Sequence, residues 1–253
     1  MMEPTLQGKR ALVSGASKGI GLAIARRLAA AGARVALAAR GAPPLEGMPG
    51  AIAIPADLRD ADACAGAVAR AVEAFGGLDI FVHSAGATQR GDFLALDDAA
   101  WADGYALKFM GAVRLLRAAW PHLKAARGNA VLIAGVGGRV ASADFTIGGS
   151  VNAALMNFTK AMADRGVQDG VRVNCINPGS IRTDRLTGRI ATMAKERGVD
   201  MQAAAGLIAA ETGVSRFGEP EEIAEIVAFL AGPGAGYIQG AILDADGGWV
   251  RAV

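Results

Sequence analysis

The chain has 253 residues, 52% hydrophobic and 20% charged, which is ample for one α/β core. A formal net charge of +2 gives no reason to expect a nucleic-acid partner. No apolar run approaches the ~18 residues that a membrane span needs. The opening stretch, residues 1–9, has no apolar centre of the kind a secretion signal carries. Cys64 and Cys175 lie far apart in apolar segments and read as buried, reduced thiols, so a cytoplasmic location is expected. The two histidines, His83 and His122, have no cysteine cluster beside them, so no metal site is expected. A Gly-x-Ser-x-Gly elbow is absent, which disfavours a serine hydrolase.

Strand and helix signals alternate along the chain. Ala11–Val13 is an apolar strand that stops at a loop holding Gly15, Gly19 and Gly21; Leu22–Ala31 then has helical spacing. Strand, glycine loop and helix start form a phosphate cradle, because backbone without Cβ lets a pyrophosphate approach and the helix start offers free N–H groups. Arg34–Ala39 is the second strand, residues 41–50 a Gly- and Pro-rich loop, and Ala51–Pro55 the third strand. Asp60–Phe75 is helical with Gly76 and Gly77 as its stop, and Leu78–Val82 is the fourth strand. A long helix over Asp97–Leu123, a strand at Ala130–Ile133, a helix over Gly149–Asp164 and a strand at Val171–Ile176 follow. Thr183–Thr212 reads as partly helical, Glu219–Leu230 as a helix and Ala241–Ala245 as the last strand. Repeated βα units predict an α/β fold with one doubly wound parallel sheet in three layers, the Rossmann fold, over a single domain, residues 1–253.

The motifs resemble the short-chain dehydrogenase/reductase (SDR) family along essentially the whole chain. They are Ser14-Gly-Ala-Ser-Lys-Gly-Ile-Gly21, Asp57-Leu58, His83-Ser-Ala-Gly86 where the family has Asn-Asn-Ala-Gly, Asn177-Pro-Gly-Ser-Ile-Arg-Thr183, Arg216-Phe-Gly-Glu-Pro-Glu-Glu-Ile223 and Asp246-Gly-Gly248. The resemblance implies a nicotinamide dinucleotide held by Gly15, Ser17, Lys18, Gly19, Ile20 and Gly21. It adds Arg40, Asp57, Leu58, Ser84, Ala85, Gly86, Pro178, Gly179, Ile181 and Thr183, with Asp57 at the adenine amino group and Thr183 near the cofactor amide and phosphates. NAD sites usually end the second strand with a carboxylate. Here Ala39 and Arg40 stand there, and Lys18 adds a second cation, so NADP(H) is expected over NAD(H). Asp57 also reads as a turn former and Thr183 as a helix N-cap.

The family's chemistry uses a tyrosine and a lysine as Tyr-x-x-x-Lys, a serine thirteen residues earlier and an asparagine on the long helix. Tyr105 and Tyr237 have Phe109 and Ala241 four residues on, so neither fits. Aligned on Gly148-Gly-Ser-Val-Asn-Ala-Ala-Leu155, Gly148 takes the tyrosine position, Asn152 the lysine, Gly135 the serine and Lys108 the asparagine. Two glycines are expected to widen the pocket, and general-acid transfer through Tyr and Ser is lost. Lys108 and Asn152 look like an exchange of the family's Asn and Lys, and they are the candidate catalytic residues. Lys108 either turns inward to a ribose, a water or a ligand carboxylate, or carries its ammonium to solvent. Ser150 reads first as a helix-start residue, and His83 first as structural and second as a titratable group. Restoring Gly135→Ser, Gly148→Tyr, Asn152→Lys and Lys108→Asn together is expected to rebuild activity if the backbone keeps the family course. The expected function is an SDR-type oxidoreductase homologue binding NADP(H), with altered or lost catalysis; the alternative is a non-enzymatic NADP(H)-binding sensor or oligomer subunit. The expected partners are a small-molecule ligand or substrate and further copies of the chain in a homotetramer, with no nucleic acid and no membrane.

Overall fold

The computed structural model describes residues 5–251. Its strands are β1 Arg10–Ser14, β2 Arg34–Ala39, β3 Ile52–Pro55, β4 Ile80–His83, β5 Asn129–Ile133, β6 Arg172–Pro178 and β7 Ile242–Ala245. They pair in parallel as one sheet in the order β3-β2-β1-β4-β5-β6-β7. The helices are α1 Gly19–Ala30, α2 Ala61–Phe75, α3 Asp98–Gly104, α4 Gly111–Ala126, α5 Thr146–Asp169, α6 Asp184–Arg197, α7 Met201–Thr212 and α8 Pro220–Ala231. The strand order reverses between β1 and β4, so the carboxyl ends of those strands border a crevice. Ser14 and His83 are register partners at that point.

Strand residues alternate between the two faces of the sheet. Leu12, Phe81, Leu132 and Cys175 pack with Cys64 and Val68 of α2, Leu115 of α4 and Leu155 of α5. Val13, Val82, Val131 and Ile176 pack with Ile24 and Leu28 of α1 and Ile223 and Val227 of α8. Both faces are covered, and that is why the strands read as apolar runs rather than alternating ones. A smaller cluster of Leu186, Ile190, Ala204, Ile208 and Phe217 holds α6 against α7 beside the main core. Among the described residues no helix is long and apolar enough to cross a membrane.

The sequence placed the elements and missed some of their ends. α5 runs past Asp164 to Asp169, because Gly166 lets the helix lie against β6: a Cβ there would meet the Val171 carbonyl oxygen at 2.1 Å. An Arg165–Asp169 ion pair of 2.7 Å spans the added turn. The stretch expected to be partly helical is two helices, separated at Gly198 and restarted by Asp200, whose carboxylate accepts from the Ala203 N–H at 2.7 Å. The expected long helix is continuous in direction but not in type: residues 105–110 form a π turn between α3 and α4. That wide turn lies between Gly104 and Gly111. A Cβ at the first would meet Ile147 at 2.6 Å, and at the second the Leu58 carbonyl at 3.2 Å.

α2 begins at Asp60, whose carboxylate accepts from the Ala63 N–H at 2.7 Å. Asp60→Ala removes this cap and is expected to lower stability by ~1 kcal/mol. Urea unfolding checks it: the midpoint falls while the slope is unchanged.

Candidate functional site

The crevice is entered from the β1–α1 loop. A Cβ at Gly15 would stand 2.6 Å from the backbone of Ala85, and one at Gly21 would stand 2.3 Å from the Gly15 carbonyl oxygen. The loop is therefore folded as tightly as glycine allows. Gly19 has φ +55°, and a Cβ there would meet Thr183 Cγ2 at 3.3 Å, so Thr183 faces the loop across the crevice. The first turn of α1 has neither a capping side chain nor an acidic residue. Its N–H groups and the positive end of its dipole are thus left to an anion. This cradle fits a pyrophosphate.

Around it, the residues expected at the cofactor differ in what they already contact. Arg40 follows β2 and is exposed. Lys18 does not stand free beside it: its ammonium pairs with Asp184 at 2.7 Å, both groups lying open to solvent. Asp57 accepts from the Arg59 N–H at 3.1 Å, and Arg59 pairs with Asp103 at 2.5 Å. Leu58 is buried beneath them. Gly179 packs on Asp246, which accepts from the Gly248 and Val250 N–H groups, so Pro178-Gly179 rests on the closing turn. Thr183 occupies the N-cap position of α6, but its hydroxyl turns to the Ile181 carbonyl at 3.3 Å instead of capping.

Lys108, Gly135, Gly148 and Asn152 converge. Lys108 sits on the π turn with 9% exposure. Its Nζ donates to Asn152 Oδ1 at 2.6 Å and to the Ala134 carbonyl at 2.7 Å. Asn152 Nδ2 lies 2.9 Å from where a Cβ of Gly135 would be. The expected widening at Gly148 does not occur: the Phe145 ring lies 2.1 Å from the position of a Cβ there, so an aromatic side chain from the preceding loop fills the space. The same ring would have to move aside for Gly148→Tyr. Gly135 has φ +153°, which strains any side chain, so the backbone does not keep the course a fourfold restoration requires.

A profile of the family described as Enoyl-(Acyl carrier protein) reductase matches residues 15–250. Cis-4-hydroxycyclohexanecarboxylate dehydrogenase of Sinomonas cyclohexanicum is 33% identical over 248 residues, covering 94% of this chain and 95% of its own. Galactitol 2-dehydrogenase (L-tagatose-forming) of Cereibacter sphaeroides is 36% identical over 258 residues, covering 96% of each chain. L-Sorbose reductase from Gluconobacter frateurii, solved with NADPH and L-sorbose, superposes with a TM-score of 0.93 at 32% identity over 100% of both chains. This chain belongs to the short-chain dehydrogenase/reductase family.

In this SDR, burial sets the charge of the two groups that the cleft shares with the core. It pushes Lys108 down to about 7, with repulsion from Arg185 the second cause. His83 is fully buried and pushed down to about 4, again by burial first. Its Nε2 lies 3.0 Å from the Lys108 carbonyl and its Nδ1 2.9 Å from Ser14 Oγ. The arrangement is satisfied when Nε2–H donates to the carbonyl and Nδ1 accepts from the hydroxyl. His83 is therefore structural: it holds the π turn. Ser150 caps nothing in the cleft; its hydroxyl returns to the Ile147 carbonyl at 2.9 Å. Cys64 and Cys175 are free, buried thiols, both pushed up to about 11 by burial.

Sequence reading missed two members of this SDR cleft. Phe145 is one. Arg185 is the other, donating from Nη2 to the Gly86 carbonyl. The four-residue spacing of Arg185 and Arg189 was a signal for a charged helix face, and nothing in it said which way that face turns. A cavity of about 330 Å³ opens along the first turns of the same helix, lined by Arg182, Thr183, Asp184, Leu186, Thr187 and Ile190.

The buried imidazole gives the SDR fold a pH signature. Unfolded, His83 takes a proton near pH 6.5; folded, it resists until about 4. Between these values the unfolded chain binds more protons, so the contribution is present above pH 6.5 and is lost as pH falls toward 4, by ~3 kcal/mol in all. Urea unfolding across this window checks it. The slope of stability against pH should flatten by about one proton in His83→Gln.

Proposed function

We propose that this SDR binds NADP(H) and catalyses oxidation or reduction of a small-molecule carbonyl or alcohol, with proton exchange carried by Lys108. The observation behind the reading is the Lys108 amine. It is buried, held by Asn152 and the Ala134 carbonyl, and has a pKa of about 7.

The cofactor half rests on the glycine cradle, on Arg40 after a strand with no terminal carboxylate, and on the likeness to L-sorbose reductase, which was solved with NADPH. Gly15, Ser17, Gly19, Ile20 and Gly21 would hold the pyrophosphate and Arg40 the 2′-phosphate. Asp57 and Leu58 would meet the adenine. Ser84, Ala85, Gly86, Pro178, Gly179, Ile181 and Thr183 would border the nicotinamide half. Bound there, NADPH supplies a hydride for a carbonyl carbon.

The rest is proton chemistry of the chain. An ammonium has three N–H positions, and protein groups accept from two of those on Lys108. The third remains for a substrate oxygen. A group with a pKa near the working pH is an efficient acid and base, because both forms are populated. Asn152 and Ala134 fix where the proton is offered, and Arg185 favours its release. A second reading, NADP(H) binding without turnover, is supported by Phe145: its ring fills the space at Gly148 and leaves no acid there.

Two measurements test the proposal, the first its cofactor and the second whether turnover accompanies binding. By calorimetry, NADPH should bind at least tenfold more tightly than NADH, a difference of ~1.4 kcal/mol. Arg40→Asp should abolish the preference, and equal affinities in the unaltered protein refute the NADP(H) assignment. Single-turnover oxidation of bound NADPH, against a panel of carbonyl compounds, should titrate with an apparent pKa near 7 and vanish in Lys108→Met. Turnover that survives in Lys108→Met places the proton elsewhere, and no turnover with any compound favours the binding protein. Simple neutral ketones should react well below the usual ~1–10³ s⁻¹.

The homotetramer is proposed on surface grounds. β7 is the sheet's last strand, with one neighbour among the described residues, and Phe229 of α8 and Tyr237 are exposed. Such an edge buries well in one isologous contact, and the faces of α4 and α5 would supply the second that a tetramer needs. Light scattering at micromolar concentration should give four chain masses, and a monomer mass refutes it.

A further inference from the structure

The side of the cleft that faces Lys108 is built from arginines. Arg185 and Arg189 stand four residues apart on α6, a spacing that places both on one helix face. Arg185 donates to the Gly86 carbonyl. The Lys108 side chain packs against the same glycine, its Cδ 2.7 Å from where a Cβ would be. One residue thus separates the two cations. Arg90 approaches from the loop after β4. Its Nη1 pairs with Asp144 at 2.6 Å, and its guanidinium lies 4.0 Å from the centre of the Phe145 ring that fills the space at Gly148. The Gly91 N–H donates to the Asp144 carbonyl at 3.0 Å, which ties the two loops together.

The charge balance is one-sided. Asp144 is already engaged by Arg90 and by the Ser142 hydroxyl. Among the described residues, Arg185 and Arg189 form no ion pair. Arg185 is open to solvent, yet the surrounding protein first and Arg90 second hold its pKa below the usual value. Arg189 is half-buried and held down in the same way, with Asp144 and Glu211 offsetting only part of the effect. Four cations, Lys108 included, therefore share one committed carboxylate and a more distant one.

We infer that the cleft is specific for an anionic small molecule: a carbonyl or alcohol compound bearing a carboxylate or phosphate, with the anion held by Arg185 and Arg189 and the reacting oxygen turned toward Lys108. The inference rests on the oxidoreductase reading of the same site. Guanidinium forks match both anions in bidentate geometry, which an ammonium does not. An entering anion relieves the repulsion among the arginines, whereas a neutral ligand leaves it in place. The wall therefore chooses the substrate by charge, and the lysine behind it meets only what that wall admits.

The test uses matched pairs, 4-oxopentanoate with 2-pentanone and dihydroxyacetone phosphate with dihydroxyacetone. Calorimetry measures their binding to the full-length protein at saturating NADPH. At least one anionic member should bind tenfold or more tightly than its neutral partner, and the pair with the larger ratio identifies the anion. Arg189→Gln should remove most of that ratio, and Arg189→Lys should keep only part of it. Arg185→Gln should act likewise; because Arg185 also holds Gly86, an unchanged urea midpoint serves as its check on folding. Equal binding within both pairs, no binding by either anion at millimolar concentration, or a ratio that survives in both Gln variants overturns the inference. Anion preference without NADPH oxidation overturns the oxidoreductase reading alone. Anion indifference with NADPH oxidation intact overturns this inference alone.

Discussion

A lysine drawn almost wholly out of water must find acceptors in the protein, and the centre of this molecule is arranged around that requirement. Lys108 Nζ is held by the end of β5, through Ala134, and by α5, through Asn152. The carbonyl of the same residue is held by His83 of β4, which is held in turn by Ser14 of β1. Four elements meet at one side chain, and the crevice at the β1–β4 reversal is the place where they meet. Removing any partner leaves a buried polar group unsatisfied, which costs ~1–3 kcal/mol.

The charge of that lysine is as constrained as its position. Burial opposes the ammonium, and Arg185 opposes it again from across Gly86. Neither Asn152 nor a carbonyl brings a negative charge to offset this. A carboxylate in place of Asn152 would form a buried ion pair and hold the proton firmly. A neutral amide accepts the hydrogen bond without fixing the protonation state. The amine is thereby kept near the point of balance while its geometry stays fixed.

The fold was legible because its signals are periodic and local. Apolar runs such as Ala11–Val13 and Val131–Ile133 mark strands buried on both faces, and Gly15, Gly19 and Gly21 mark a turn that only glycine can make. That Lys108 and Asn152 meet was legible too, since the motifs around them put both at the same crevice. Phe145 was not. It stands on a short turn before α5, and its ring reaches back over Gly148 through loop geometry that has no period. The ion pair that draws Lys18 away from Arg40 joins residues 166 apart in sequence, a distance at which composition carries no information. The direction of Arg185 depends on how α6 is set by Leu186 and Ile190 against α7, which is a packing outcome.

The π turn at residues 105–110 has a consequence for how this chain tolerates change. Such a turn holds one more residue than an α turn, so it behaves as an insertion carried within a helix. Deleting a single residue between Gly104 and Gly111 would relax the stretch to a regular helix and leave its two ends in nearly the same relative orientation, because an α turn sweeps the same angle with one residue fewer. The two glycines, pinned to Ile147 and Leu58, would stay where they are. What changes is the direction in which the residues between them leave the helix, and Lys108 is one of these. The extra residue thus aims the amine into the crevice while the helix on either side keeps its place.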